Sequence, residues 1–426
     1  MRKGNKVLIC FFIILFVLGI GVGFLVGKSL KKKETKDPVV EQPPVVDVSG
    51  IEDFNLQMFQ LENNKKNMIY SPLSMKYALK LLDEGAANNT KTEIDKVVGS
   101  KDLTFYENVK DHLSLANSIF IRNTYKDYVK DSYIDNVKNK YRSEIIYDEF
   151  QNATNINHWI EEKTFQMLKN IVRDEQVNNP DSEMVLINAL AIDMAWSSRF
   201  DTDRTRGEIF TKEDGSKIEA TTMYDSYTSY TKDFKYYKND DVIAFSKDLD
   251  EYDGNQFEFI GIMPNKVSLS DYIKSLKDND IEKLISNLEN VKETKDEVHL
   301  YIPKFEYEYR MDEFVDHLKT LGIKDAFDSD KADFSNMSER DLYVHDGIHV
   351  AKVEFSEAGV KAAAVTVFVM RESSIAMPEE KNIIELKFDK PFMFLIRDKK
   401  SGEVWFMGQV YEPNLWKDDA SEYGRN

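Results

Sequence analysis

The stretch Glu357-Ala358-Gly359-Val360-Lys361-Ala362-Ala363-Ala364-Val365-Thr366 limits the fold more than any other part of this chain. Three alanines suit a helix, whereas Val365-Thr366-Val367-Phe368-Val369 suits a strand. A segment of small residues with no strong commitment can live in two structures, as an exposed loop in one state and a sheet strand in another. Its parity agrees. Val360, Ala362, Ala364, Thr366 and Phe368 would share one strand face with no charge among them, and Lys361 falls on the opposite face. Such a segment can enter a sheet over an apolar core without burying a charge. It runs out into a polar patch, Arg371-Glu372-Ser373-Ser374.

The N-terminus is the second constraint. Arg2, Lys3 and Lys6 precede a continuous apolar run, Val7–Val26. As a helix at about 1.5 Å per residue, that run spans about 30 Å, the thickness of a bilayer core. Residues 1–6 therefore read as a short basic end and 7–27 as a transmembrane signal-anchor. A cleaved secretory signal is the alternative, but Gly21-x-Gly23 is a poor cleavage site. Residues 28–50 form a Lys- and Pro-rich tether, with Lys31-Lys32-Lys33, Pro38 and Pro43-Pro44 and no helical or strand period. Lysines flank the apolar run on both sides. A literal count favours a cytoplasmic body, whereas large domains translocate largely regardless of charge. The expectation is a single-pass cell-membrane protein with its body exported.

The body, residues 51–414, reads as one α+β domain, followed by a tail over 415–426. The chain has 426 residues, 42% of them apolar, enough for a sizeable core. Helical spacing marks Met75–Asp83 and Ile156–Val172, strands dominate the second half, and Asp214-Gly215 marks a hairpin turn. The net charge is −18, and residues 1–50 hold eight basic and four acidic residues, so the body carries about −22. That charge excludes nucleic acid as a partner. The single cysteine, Cys10, lies in the apolar run, so no intrachain disulfide is possible.

Enzyme signatures are missing from the sequence. There is no Gly-x-Ser-x-Gly elbow, no His-Glu-x-x-His pair, and no thiol in the body. Gly21–Ser29 imitates a phosphate-binding loop with the wrong spacing. His345 and His349 lie four apart, with no carboxylate or histidine set of metal-ligand spacing around them. The chain is expected to be neither an enzyme nor a cofactor or metal protein.

The segment Glu357-x-Gly359-x-x-Ala362-Ala363-Ala364-x-Thr366 resembles the reactive-loop hinge of serpins, the serine protease inhibitors. Further blocks resemble serpin segments in family order: Asn67–Ser74, Gly85-Ala86-x-x-Asn89-Thr90, Leu115–Phe120, Asn157-x-Trp159-Ile160 and Val185–Ala189 with Trp196 and Phe200. Ile302–Phe305, Leu321-Gly322-Ile323, Ala332–Ser335, Asp389–Phe392 and Phe406–Val410 complete the set. The resemblance implies helices packed on a large mixed sheet with two smaller sheets, and a reactive-centre loop exposed at about 357–378. It implies a monomer whose partner is a serine protease, or a cysteine protease.

The implied mechanism is a suicide trap. The protease attacks the loop and forms an acyl-enzyme. The hinge then enters the main sheet as a new strand, and the protease is dragged along and distorted. Family spacing places the reactive bond at Ser373–Ser374, suiting an elastase-like or subtilisin-like enzyme. Arg371–Glu372 is the alternative and would suit a trypsin-like one, with Met370 and Met377 as further candidates. The resemblance also places Ser71, Ser74, Asn188 and His349 in a buried polar cluster beneath the sheet centre, and Trp196 at the top of the sheet where insertion begins. Ala358, Val360 and Lys361 depart from the usual hinge pattern. The alternative function is a non-inhibitory serpin, a surface binding or scaffold protein whose loop does not insert.

Overall fold

A computed structural model of the chain describes the backbone of residues 10–19 and residues 48–99, 103–228, 231–290, 296–359 and 382–417. The chain enters as strand β1 (Cys10–Gly19), helix α1 (Phe54–Leu61) and a short β2 (Met68–Tyr70). Helices α2 (Pro72–Gly85) and α3 (Asn88–Val98) lead to β3 (Leu113–Arg122), α4 (Asp131–Tyr141) and β4 (Glu144–Asp148). Then come α5 (Thr154–Lys163), a single turn α6 (Asp174–Val177) and the long β5 (Ser182–Ile192). Strands β6 (Arg206–Thr211), β7 (Lys217–Thr228), β8 (Phe234–Lys238), β9 (Val242–Asp248) and β10 (Phe257–Pro264) follow. Helices α7 (Leu269–Ser275) and α8 (Asp280–Glu289) precede β11 (Glu297–Pro303) and β12 (Phe305–Met311), and α9 (Phe314–Leu321) precedes β13 (Tyr343–Phe355). The chain closes with β14 (Ile383–Lys387), β15 (Phe392–Asp398) and β16 (Val404–Val410).

These elements build an α+β fold of three sheets with helices packed on them. The main sheet has the order β12-β13-β1-β5-β3-β4. Its pairs are antiparallel except β3 with β4, which makes it mixed. A second sheet runs β2-β16-β15-β10-β9-β8, and a third β14-β11-β7-β6. The Asp214-Gly215 turn joins β6 to β7 as the sequence predicts: Lys212 and Ser216 close it with a 2.8 Å backbone hydrogen bond, and Gly215 sits at φ +82°, where glycine avoids a Cβ clash.

The main sheet is covered on both sides. Along β5, Leu186, Leu190 and Ile192 join the large core beneath the sheet. The alternating residues Val185, Ile187, Ala189 and Ala191 join a separate cluster capped by Trp159 and Ile160 of α5. Every residue of β5 is consequently buried, the pattern of a strand without a solvent face.

Two expectations differ from the structure. Helical spacing predicts a helix over Ile156–Val172, but α5 ends at Lys163. Thr164 bonds back to the Ile160 carbonyl at 2.7 Å and accepts from Leu168 N at 3.3 Å, and Phe165 and Gln166 take positive φ. The Asn157 side chain then ties Val172 N and O at 2.9 and 2.8 Å, which pins the returning chain under the helix. The second difference is at the N-terminus. Cys10–Gly19, expected within a membrane-spanning helix, is β1, antiparallel to both β5 and β13. Among the described residues no helix is long and apolar enough to cross a membrane. The physical reason lies in the slot. Two ladders satisfy the β1 backbone, and an apolar run without polar alternation suits a strand between two covered faces.

The main sheet meets the second sheet through aromatic rings. Phe355, the last residue of β13, stacks on Phe305 at 4.7 Å and packs against Phe259 at 4.7 Å and Trp196 at 5.4 Å. We expect Phe355→Ala to lower the unfolding free energy by about 3–5 kcal/mol, through lost burial plus a cavity. A urea titration would show it as a lower midpoint at an unchanged slope.

Candidate functional site

Two polar constellations bracket the place where β5 and β13 would meet if β1 were not between them. The first lies under the sheet centre. Ser71 ends the approach to α2 and caps it: Ser74 N donates to Ser71 Oγ at 3.0 Å, with Pro72 at the first helical position, where its missing N–H costs nothing. Ser74 Oγ in turn donates to Asn188 Oδ1 on β5. Asn188 Nδ2 donates to Asn117 Oδ1 on β3 at 2.8 Å, and Asn117 Nδ2 to the Tyr141 carbonyl at 2.9 Å. From the other side, Ser71 N donates to His349 Nε2 on β13 at 3.4 Å. The structure thus brings together Ser71, Ser74, Asn188 and His349, and all four are fully buried. Asn188 and His349 stand on β5 and β13 at the register position of Ile14, one on each side.

Burial pushes the His349 imidazole down to about 3. It is therefore neutral at physiological pH and can accept the Ser71 amide. A paired polar network in a dry site is costly to break and specifies one arrangement.

The second constellation lies at the end of β13. Trp196 is buried against Phe200, Phe259 and Phe355, and its Nε1 donates to the Ser356 carbonyl at 2.9 Å. Phe200 N donates to the Glu357 carbonyl at 3.1 Å, and Trp196 N to the Ala358 carbonyl at 3.3 Å. Gly359 follows at φ +107°, and a Cβ there would lie 2.2 Å from Trp196 N. Only glycine fits this close approach of two backbones.

The Glu357 carboxylate is held in place as well. It accepts from Lys304 Nζ at 2.8 Å and from Thr205 Oγ1 at 2.7 Å. Burial disfavours its charge, but these two donors outweigh the burial and hold its pKa below the ordinary carboxylate value. Nearby, Lys247 Nζ donates to Ser198 Oγ at 2.8 Å and lies over the Tyr227 and Phe200 rings at 4.9 and 5.1 Å. Burial lowers its pKa to about 8, against the pull of Asp233, Asp225 and Asp248.

Val360, Lys361, Ala362, Ala363, Ala364 and Thr366, together with the candidate bonds Ser373–Ser374 and Arg371–Glu372, lie outside the described residues. Sequence reasoning missed Asn117, Lys304, Thr205 and Lys247. Asn117 had a signal, an amide inside the apolar strand Leu115–Phe120. Lys304 sits in the quoted block Ile302–Phe305, but its carboxylate partner is 53 residues away. Among the described residues no group of three or more His, Cys, Asp or Glu side chains could hold a metal ion.

Two outcomes test this geometry. The folded pKa of His349 lies below its unfolded value of 6.5, so its contribution is fully present above pH 6.5 and is lost as pH falls toward about 3. Unfolding free energy should decline by up to about 1.4 kcal/mol per pH unit in that window, and His349→Gln should flatten the slope. Removing the cation beside Glu357 by Lys304→Ala should cost about 1–3 kcal/mol in urea unfolding at neutral pH. The added change Glu357→Gln should recover part of that loss, as expected when an unpaired buried charge is its source.

A family model described as Serpin (serine protease inhibitor) matches residues 49–413. An uncharacterized serpin-like protein of Methanosarcina acetivorans is 30% identical over 382 residues, covering 85% of each chain. Neuroserpin of Mus musculus is 27% identical over 380 residues, covering 84% of this chain and 89% of its own. The crystal structure of tengpin, a thermophilic serpin, in the native state matches with a TM-score of 0.68 at 26% identity, covering 85% of this chain and 93% of that one. The chain has the serpin fold and belongs to the serpin (serine protease inhibitor) family.

Proposed function

We propose that this serpin inhibits a serine protease as a suicide substrate. The observation that carries the reading is the anchorage of the hinge. Glu357–Gly359 leaves β13 at the top of the main sheet, held by Trp196, Thr205 and Lys304. A segment continuing from Gly359 starts beside the slot between β13 and β5, the orientation needed to turn back and run antiparallel to β13. The target protease attacks the reactive bond, read at Ser373–Ser374 from family spacing, and is acylated. The freed hinge enters the slot, and the buried polar network of Ser71, Ser74, Asn188 and His349 rearranges to admit it. Strand pairing and apolar burial withheld in the uncleaved form drive the step. The chain's own residues catalyse nothing in this scheme; Ser373 and Ser374 are bait.

A bond between two serines suits an elastase-like or subtilisin-like enzyme. We place the body outside the cell, tethered to the membrane through the apolar run Val7–Val26. A second reading, a surface binding or scaffold serpin with a non-inserting loop, is favoured by one feature, the presence of β1 in the slot.

The test is Ala362→Arg. Residue 362 belongs to the strand face that enters the core, where an unpaired charge costs at least several kcal/mol. Insertion should slow while the loop stays cleavable, so the variant should behave as a substrate and form at least ten-fold less SDS-stable complex. Lys361→Glu, on the opposite face, should change little. Mass spectrometry of the released peptide then locates the bond, with a fragment beginning at Ser374 for the family register or at Glu372 for Arg371. Equal trapping by Ala362→Arg would contradict insertion of that strand face, and absence of complex from the parent as well would move the scaffold reading ahead.

A further inference from the structure

Among the described residues, the position between β5 and β13 in the main sheet is taken by β1. Its register is continuous from Phe11 to Val17 and shifts after Val17 against β13 and after Leu18 against β5. Phe11 to Val17 pair with Lys352 to Asp346 on one side and with Ala191 to Val185 on the other. The position of β1 is the one a hinge strand following Gly359 would take, next to β13 and antiparallel to it. One slot cannot hold both strands, since each needs the same amide and carbonyl rows of β5 and β13.

The segment that fills the slot has a second possible host. It is the core of the apolar run Val7–Val26, long enough to cross a bilayer as a helix. Cations flank that run on both sides, Arg2, Lys3 and Lys6 before it and Lys28 and Lys31–Lys33 after it, suited to lipid headgroups. In water the slot, whose two faces are both lined by buried side chains, gives the run an apolar host. In a bilayer it has an alternative. Residues 27–47 could span up to about 70 Å when extended, so the segment can leave the sheet while the body stays folded. A bilayer binds only the withdrawn form and so shifts the equilibrium toward it.

We propose that β1 is an intramolecular plug of the insertion slot and that a lipid bilayer is the ligand that removes it. The inference rests on the suicide-substrate reading above. With the plug in place, a cleaved loop has no slot to enter, and the acyl-enzyme hydrolyses instead of being trapped. With the segment drawn into lipid, β5 and β13 are free to take the hinge. The device confines trapping to membrane-bound chains and keeps detached ones from consuming protease.

The test uses the full chain in four forms: parent, Ile14→Pro and Ile14→Val free of lipid, and parent reconstituted in phosphatidylcholine vesicles. Ile14 lies mid-strand, opposite Asn188 and His349. Proline there removes a ladder donor from a central strand, whereas valine keeps the strand. Subtilisin is the probe protease. The readouts are amide hydrogen exchange of Ser182–Ile192 and Tyr343–Phe355, and the yield of SDS-stable complex.

Lipid-free parent and Ile14→Val should exchange slowly through both strands and give little complex. Ile14→Pro and the vesicle-bound parent should exchange at least ten-fold faster there and yield at least ten-fold more complex. If Ile14→Pro exchanges like the parent, β1 does not hold the slot. If lipid-free parent traps as well as Ile14→Pro, the plug does not gate insertion. Both results overturn the proposal while leaving the inhibitor reading intact. Absence of complex in all four forms is a different failure. It would overturn the inhibitor reading, and gating with it.

Discussion

Everything distinctive in this molecule depends on the facing edges of β5 and β13. Both strands are long, β5 is buried throughout and β13 over most of its second half, and their amides and carbonyls face each other across a slot one strand wide, where β1 pairs with both. Buried backbone groups must be paired, so the slot cannot stay open without cost. It closes, or it takes in a strand. In this chain two segments have the composition to enter it. One is the apolar N-terminal run, present there as β1. The other is the small-residue hinge that follows Gly359. In the suicide-substrate reading the choice of strand is postponed until a protease cuts the loop, and a second candidate strand makes that choice depend on surroundings as well.

The two polar constellations act as the fastenings of that slot. Ser71, Ser74, Asn117, Asn188 and His349 link α2, β3, β5 and β13 through hydrogen bonds in a dry site, so the strands cannot shift without rearranging buried partners. At the top, the Glu357 carboxylate and the Ala358 carbonyl pin the start of the hinge to Lys304, Thr205 and Trp196. Their energies are individually modest, about 1–3 kcal/mol each. In the suicide-substrate reading they act together, because insertion has to break them in concert. The aromatic stack of Phe305, Phe355 and Phe259 sets the floor beneath them.

Much of this was legible in the sequence, where signals are local. Ser71-Pro72 before a periodic apolar stretch marks the start of α2, and Asp214-Gly215 marks the β6–β7 turn. The parity of 360–368 marks a segment able to become a strand. The resemblance of the chain's blocks to serpin segments implies the fold and groups Ser71, Ser74, Asn188 and His349. What stayed hidden is long-range. Nothing near Lys304 says that its partner is Glu357, and nothing near Lys247 says that the rings of Trp196, Phe200 and Tyr227 lie against it. A continuous apolar stretch such as Val7–Val26 has no period that separates a membrane span from a sheet strand. Length alone favoured the helix, whereas the slot took ten residues of it as β1. The end of α5 was missed for a similar reason: Thr164 and the Asn157 contacts to Val172 override apolar spacing that continues past Lys163.

The central claim is that the hinge after Gly359 enters the main sheet once the loop is cut. Thermal unfolding of the vesicle-bound chain, before and after a single proteolytic nick within residues 371–374, tests it most directly. Insertion adds a full central strand, so the nicked protein should unfold at a temperature well above that of the intact one. An unchanged or lower midpoint after clean cleavage would contradict the account, and would make this chain a serpin whose loop stays outside its sheet.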